Sequence, residues 1–153
     1  MELVNARLPA APGELGGDSF LVVPAEKIVP VCELLKISDI FYFDCLSDLT
    51  GVDWKDHLEV IYHLFSYRHR HHLEIKVKLP VEKPQVPTVE SVWKVANWLE
   101  REVYDLLGIN FEGHSDLRRI MLPDDWVGHP LRKDYKEEED YHGITTTRPS
   151  LLQ

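Results

Sequence analysis

Histidine is the most concentrated reactive residue in this chain: His69, His71 and His72 follow one another closely, with His63 a few residues earlier. Neutral imidazole is a common ligand for zinc and related metals, so the run invites a free-standing metal-dependent enzyme as one reading. The spacing argues against it. On an extended strand His69 and His71 share a face while His72 points to the other, so the three do not converge on one ion. Arg68 and Arg70 are interleaved with them and would oppose a cation. The run reads as a solvated hairpin tip, and the metal site is rejected.

Glu100, Glu102 and Asp105 are residue types suited to general acid–base work. At helical spacing, Glu100 and Glu102 lie about 200° apart and do not face a common substrate. Glu100 falls inside the apolar arc of its helix, so it is expected to be a buried structural charge. Its expected partners are a nearby arginine or backbone amides, because burial without a partner is costly. Cys32 and Cys45 are too few for an iron–sulfur cluster, which usually takes four thiolates, and both read as core packing. The sequence contains no nucleophile elbow, P-loop, dinucleotide fingerprint or H-E-x-x-H pair. No residue is therefore assigned as catalytic, cofactor-binding or metal-ligating.

The elements that position these residues follow from periodicity. Residues 1–18 read as a flexible leader. Phe20-Leu21-Val22-Val23 suits a short strand, and Ile28, Val31, Leu34 and Leu35 recur at helical spacing from Ala25 to about Lys36, where Pro30 is expected to bend or shorten the helix. Ile40–Leu46 reads as a strand of alternating aromatics and Ser47–Asp56 as turn-rich. His57–Tyr67 and His72–Leu79 form the clearest strand pair, with Leu73, Ile75, Val77 and Leu79 on one face. A long helix is expected from an N-cap at Thr88 to Leu107, with Gly108 just beyond its end. Trp98 violates the pattern by sitting on the polar face beside Lys94, Arg101 and Asp105. The fold class is α+β. It comprises a two-layer domain over 19–108, with a four-stranded, mostly antiparallel sheet and two main helices. An extended irregular arm follows over 109–153.

Composition narrows the function classes. A formal charge of −9 over 153 residues argues against nucleic-acid binding, which needs a basic surface, and against direct contact with an anionic membrane. No apolar run approaches the roughly 20 residues needed to span a bilayer, and the first residues lack a signal-peptide pattern. The expectation is a cytoplasmic protein in a reducing compartment, without direct membrane insertion. Beyond Gly108 the periodicity ends, yet Phe111, Leu117, Ile120, Met121, Leu122, Trp126, Leu131 and Tyr135 remain scattered among charges. With Trp98, an irregular segment so rich in large apolar residues suggests an interface. The acidic run Glu137-Glu138-Glu139-Asp140 reads as solvated.

From the second helix onward the sequence resembles one family closely. Ala96-Asn97-Trp98-Leu99-Glu100-Arg101-Glu102-Val103-Tyr104-Asp105-Leu106-Leu107-Gly108-Ile109 resembles the signature of the C-subunit family of NADH–quinone oxidoreductase, respiratory complex I. The likeness continues through Phe111-Glu112-Gly113-His114, Leu117-Arg118-Arg119-Ile120, Pro123-Asp124-Asp125-Trp126 and Gly128-His129-Pro130-Leu131-Arg132-Lys133-Asp134-Tyr135. It is weaker at Asp48-Leu49-Thr50-Gly51-Val52-Asp53 and Tyr62-His63-Leu64-Phe65-Ser66. Ser115 departs from the family's usual proline and is expected to loosen a turn. The chain also stops soon after the motif, which suggests a stand-alone subunit and not a fusion.

The resemblance implies a non-catalytic scaffold in the peripheral arm of a proton-translocating NADH:quinone oxidoreductase, at the cytoplasmic face of the inner membrane. FMN, iron–sulfur clusters and quinone would reside on other subunits, with no cofactor in this chain. The implied partners are the large D-type subunit, which forms the quinone site, and the iron–sulfur subunits B and I. In that setting the arm from Phe111 to Tyr135 would wrap the large subunit. Its contacts would come from Trp98, Arg101, Glu102, His114, Arg118, Arg119, Trp126, Arg132, Lys133, Asp134 and Tyr135. A homologous subunit of a membrane-bound nickel–iron hydrogenase, or of a ferredoxin- or formate-linked complex, is the alternative.

Overall fold

The computed structural model describes residues 11–15 and 18–145. Strand β1 (Ala11–Leu15) pairs antiparallel with β2 (Asp18–Val22), so part of the expected leader is an edge strand and its last residue opens β2; residues 1–10, 16 and 17 lie outside the described residues. A short 3-10 turn (Ala25–Lys27) leads into α1 (Ile28–Ile37). Pro30 does not bend α1. It sits in the first turn, where its missing N–H would have had no intrahelical acceptor.

The aromatic stretch after α1 is a turn and not a strand. Ser38 and Phe43 donate their N–H groups to Leu34 and Leu35 at the end of the helix, and Tyr42 has φ 45°. The next strand, β3 (Cys45–Asp53), occupies the stretch read as turns. Its irregular pattern has two local causes. A bulge lies between Leu46 and Asp48, and Gly51 is required because a Cβ there would lie 2.4 Å from Leu107 Cδ1.

Strands β4 (His57–Ser66) and β5 (His71–Pro80) form the expected hairpin, and the principal sheet runs β1-β2-β5-β4-β3. Three of the expected strands, β2, β4 and β5, are joined by β3 in place of the expected aromatic strand and by β1, and only the β2–β5 pairing is parallel within this sheet. β6 (Gln85–Pro87) pairs in parallel with β7 (Asn110–Glu112), on either side of α2 (Ala96–Leu107). A final hairpin joins β8 (Asp140–Tyr141) to β9 (Ile144–Thr145).

The core lies between the helices and one face of the sheet. Val31, Cys32 and Leu35 of α1 meet Leu58, Val60, Tyr62 and Leu64 of β4, Ile75 and Val77 of β5, and Val103 and Leu107 of α2. Each such side chain contributes about 1.5–3 kcal/mol on leaving water. Cys32 is fully buried, and burial first, then the nearby Glu100 and Glu33, push its thiol pKa up.

Helix α2 starts later than its periodicity predicts. Thr88 is not its N-cap: residues 88–95 run as turns, with Thr88 N–H donating to Glu112 O across the small parallel pair. Gly108 closes the helix in the left-handed region at φ 69°, as the spacing predicts.

Candidate functional site

The arm has little regular pairing of its own, so its backbone amides must find acceptors elsewhere. Carboxylates of the domain supply them at successive points. Glu90, in the turns before α2, accepts from Ser115 N–H at 2.9 Å, Ser115 Oγ at 3.0 Å and Asn97 Nδ2 at 2.8 Å. Asp105 of α2 accepts three consecutive amides on one oxygen, from Ile120, Met121 and Leu122 at 3.0, 2.7 and 2.9 Å. Its other oxygen pairs with Arg119 at 2.8 Å. Asp53, at the end of β3, accepts from Lys133 N–H at 2.9 Å.

These bonds set the charge of the anchors. Burial alone would raise the Asp105 pKa, but the three amides and Arg119 hold it below the usual aspartate value. The Lys133 amide is the largest influence lowering that of Asp53. Glu90 is likewise lowered: its burial is outweighed by the hydrogen bonds from Asn97 and Ser115.

The second half of the arm closes the C-terminal end of α2. His129 Nδ1 donates to Asp105 O at 2.9 Å, Leu131 N–H to Leu106 O at 3.0 Å, and Arg132 Nε to Leu107 O. These are carbonyls that a helix end leaves unpaired, and a cation there also complements the helix dipole. Gly108 fits twice over, since a Cβ would lie 2.5 Å from the His129 ring.

Glu100 is fully buried, but no arginine among the described residues meets it. Val89 N–H donates to one oxygen at 2.8 Å and the Thr88 hydroxyl to the other. Desolvation dominates and raises its pKa to about 7. Its neighbour His114 donates from Nε2 to Asn97 O at 3.1 Å and accepts Asp116 N–H on Nδ1 at 3.0 Å, which defines the neutral Nε2–H tautomer.

The residues read as partner contacts divide by location. Arg101 is buried, donating to Arg118 O at 3.2 Å and lying under the Trp98 ring at 5.0 Å; the face read as polar and solvated is covered by the chain's own arm. His114, Arg119 and Arg132 use the hydrogen bonds above within the chain. Trp98, Glu102, Arg118, Lys133 and Asp134 are exposed, whereas Trp126 and Tyr135 are half-buried. Ser115 does not loosen its turn, because its N–H and hydroxyl fasten Glu90 where proline would offer neither.

At the hairpin tip, His69 and His71 donate from Nε2 to the carbonyls of Asp39 and Phe41 at 2.9 and 2.7 Å, while His72 is exposed. Among the described residues, no group of three or more His, Cys, Asp or Glu side chains is arranged to hold a metal.

Sequence reasoning missed Glu90, Asp53 and His129 as anchors and assigned Asp105 to solvent. Asp53 and His129 stood inside quoted motifs, but Glu90 carried no signal. With its backbone turned inward, the arm presents apolar side chains outward: Met121 is 60%, Val127 61% and Leu131 57% exposed, beside Trp98 at 62%.

Fold and site together define a small α+β domain with its own arm strapped to it by carboxylate–amide bonds. The model for "Respiratory-chain NADH dehydrogenase, 30 Kd subunit" matches residues 21–141, and the chain belongs to that family. It is 44% identical to the NADH-quinone oxidoreductase C subunit of Geobacter sulfurreducens, over 85% of this chain and 84% of the relative. It is 47% identical to the same-named protein of Geobacter metallireducens, over 80% and 76%. Among solved structures, a trypsin-resistant fragment of Nqo5 superposes with TM-score 0.64 at 33% identity, covering 76% of this chain and 95% of the fragment. A chain of a membrane-bound sulfane sulfur reductase, an archaeal respiratory membrane complex, superposes with TM-score 0.75 at 28% identity, covering 88% and 82%.

Proposed function

We propose that the chain is a non-catalytic scaffold subunit of a proton-translocating NADH:quinone oxidoreductase. It sits in the peripheral arm, at the cytoplasmic face of the inner membrane. It docks on the large subunit that forms the quinone site, beside the iron–sulfur subunits B and I, and supports electron transfer from NADH to quinone. FMN, iron–sulfur clusters and quinone belong to the other subunits. The family match over 21–141 carries this reading, and the exposure of Trp98, Met121, Val127 and Leu131 is compatible with it. No helix among the described residues is long and apolar enough to cross a membrane. Attachment in this reading runs through protein partners.

The test is to tag the chain in its native host, solubilise membranes gently and identify what stays bound. A large complex with flavin, iron–sulfur proteins and NADH–quinone activity is the expected result; a chain that emerges alone sinks the proposal. Trp98→Ala combined with Leu131→Asp should release the chain from that complex while leaving its own melting temperature nearly unchanged.

The likeness to the sulfane sulfur reductase favours a second reading, in which the same scaffold serves a related membrane complex with a different donor or acceptor. Nickel–iron hydrogenase subunits, or a ferredoxin- or formate-linked module, in the same preparation would select it.

A further inference from the structure

The principal sheet has two edges, and they are built differently. β1 carries Pro12, which has no N–H to offer a further strand. β3 carries neither proline nor lysine over its 9 residues. Its bulge ends at Asp48, and from there to Asp53 the ladder to β4 is continuous, with Asp48 opposite His63 and Asp53 opposite Leu58. In an antiparallel ladder, alternate residues turn both N–H and C=O away from the partner strand. Among the described residues, nothing outside β4 bonds to the main chain of 48–53, so that outer row is unpaired.

The edge opens onto a groove and not onto a flat surface. Asp48, Thr50 and Gly51 form one wall; Glu102 and Leu106 of α2 with Leu131 of the arm form the other, around about 200 Å³ of space. Leu106 is half-buried and Leu131 exposed, so the far wall offers apolar contact. Asp48 and Glu102 are exposed, and neither forms an ion pair among the described residues. No lysine or arginine lines the groove.

We propose that β3 takes an extended segment of a partner protein as an added strand, paired to the main chain of 48–53. One apolar side chain of that segment rests against Leu106 and Leu131, and a lysine or arginine reaches Asp48 and Glu102. Backbone pairing supplies affinity without regard to sequence, and contacts to alternate side chains supply the selection. A second copy of this chain is the wrong occupant. Antiparallel pairing of two β3 edges would bring the carboxylates of both copies together, on chains that each carry a net charge of −9. This inference rests on the assembly reading above and names the kind of segment that one edge of the domain grips.

The first test compares amide hydrogen exchange of the free chain with that of the same chain inside the complex purified from membranes. The expected result alternates along the strand. The outward amides of 48–53 slow about tenfold or more in the complex, while the inward ones, already bonded to β4, change little. Equal exchange in the two forms, or uniform slowing without alternation, overturns the proposal. So does protection that grows with concentration in the isolated chain, which marks a second copy as the occupant.

The second test adds a blocked hexapeptide of alternating valine and lysine to the full chain and follows the backbone N–H resonances of 48–53. A saturable shift is expected, weakened about fivefold by Asp48→Asn combined with Glu102→Gln and abolished when alternate peptide nitrogens are methylated. No shift, or an equal shift with the methylated peptide, overturns the proposal.

The two tests keep this inference apart from the reading beneath it. A chain that joins a large complex without the alternating protection loses the strand edge and keeps the assembly role. A chain that joins nothing yet pairs with the valine–lysine peptide keeps the edge and loses the assembly role.

Discussion

The domain and the arm of this protein are held by opposite means. Between the sheet and the helices, adhesion comes from apolar side chains such as Leu64, Ile75, Val77 and Val103. Along the arm it comes from carboxylates of the domain that receive main-chain amides of the arm, at Glu90, Asp105 and Asp53. The difference has a geometric cause. Burying apolar area needs only a face, whereas a carboxylate–amide bond needs two named atoms in register. The domain can therefore tolerate many sequences, while beyond Phe111 and Leu117, which pack on the core, the arm depends on a few side chains.

Breaking the strongest anchor gives the sharpest test of that contrast. Asp105→Ala strands Arg119 and three amides, at a cost of about 3–5 kcal/mol. The loss should be local. Hydrogen exchange at Ile120, Met121 and Leu122 and proteolysis across 113–135 should rise steeply while the sheet amides stay protected. If the sheet opened in parallel, the two regions would be one cooperative unit and the distinction would fail.

Leu64→Ala is the complementary cut. A cavity at this buried position should cost about 3 kcal/mol, read as a lower denaturation midpoint. It should destabilise the arm only through loss of the domain beneath it.

Acidity separates the buried carboxylates further. Glu100 has its pKa raised from 4.5 to about 7, so the folded state binds the proton more tightly than the unfolded chain. Its favourable contribution is complete below about pH 4.5 and is lost as pH rises through about 7, on the order of 3 kcal/mol in all. Asp105 and Asp53 run the other way. Their pKa values are lowered, so their contribution is present at neutral pH and is lost as pH falls through the acidic range. In Glu100→Gln the melting temperature should become flatter between pH 4.5 and 7, and an unchanged slope would remove Glu100 from this account. The smallest effect is expected for Ser115→Pro, which removes two bonds to Glu90 and should cost about 1 kcal/mol, seen as faster exchange at His114 and Asp116.

Legibility in the sequence followed the same division. The β4–β5 alternation, the apolar arc of α2 and Gly108 as its stop could be read because burial repeats with the period of the element. The errors came where polar bonds override that period. Phe41 and Phe43 alternate like a strand, but the main chain there closes the end of α1. Asp48 and Gly51 look like turn residues, yet one follows a bulge and the other makes room for Leu107. Asp105 sits on a helical face that would be solvated if the arm did not cover it. Carboxylate–amide anchors have no period, so spacing alone leaves them invisible. The motif resemblance marked their neighbourhoods without showing which atoms meet.

The bond from Lys133 N–H to Asp53 also fixes an order of events during synthesis. Its two ends are separated by 80 residues, and it cannot close until the last part of the arm has left the ribosome. The β4–β5 hairpin, made of near neighbours, forms long before that. Each new molecule thus passes through a stage in which the sheet is built and Asp53 and Asp105 still await their amides. The strap is fastened last, and chain growth itself acts as the clock.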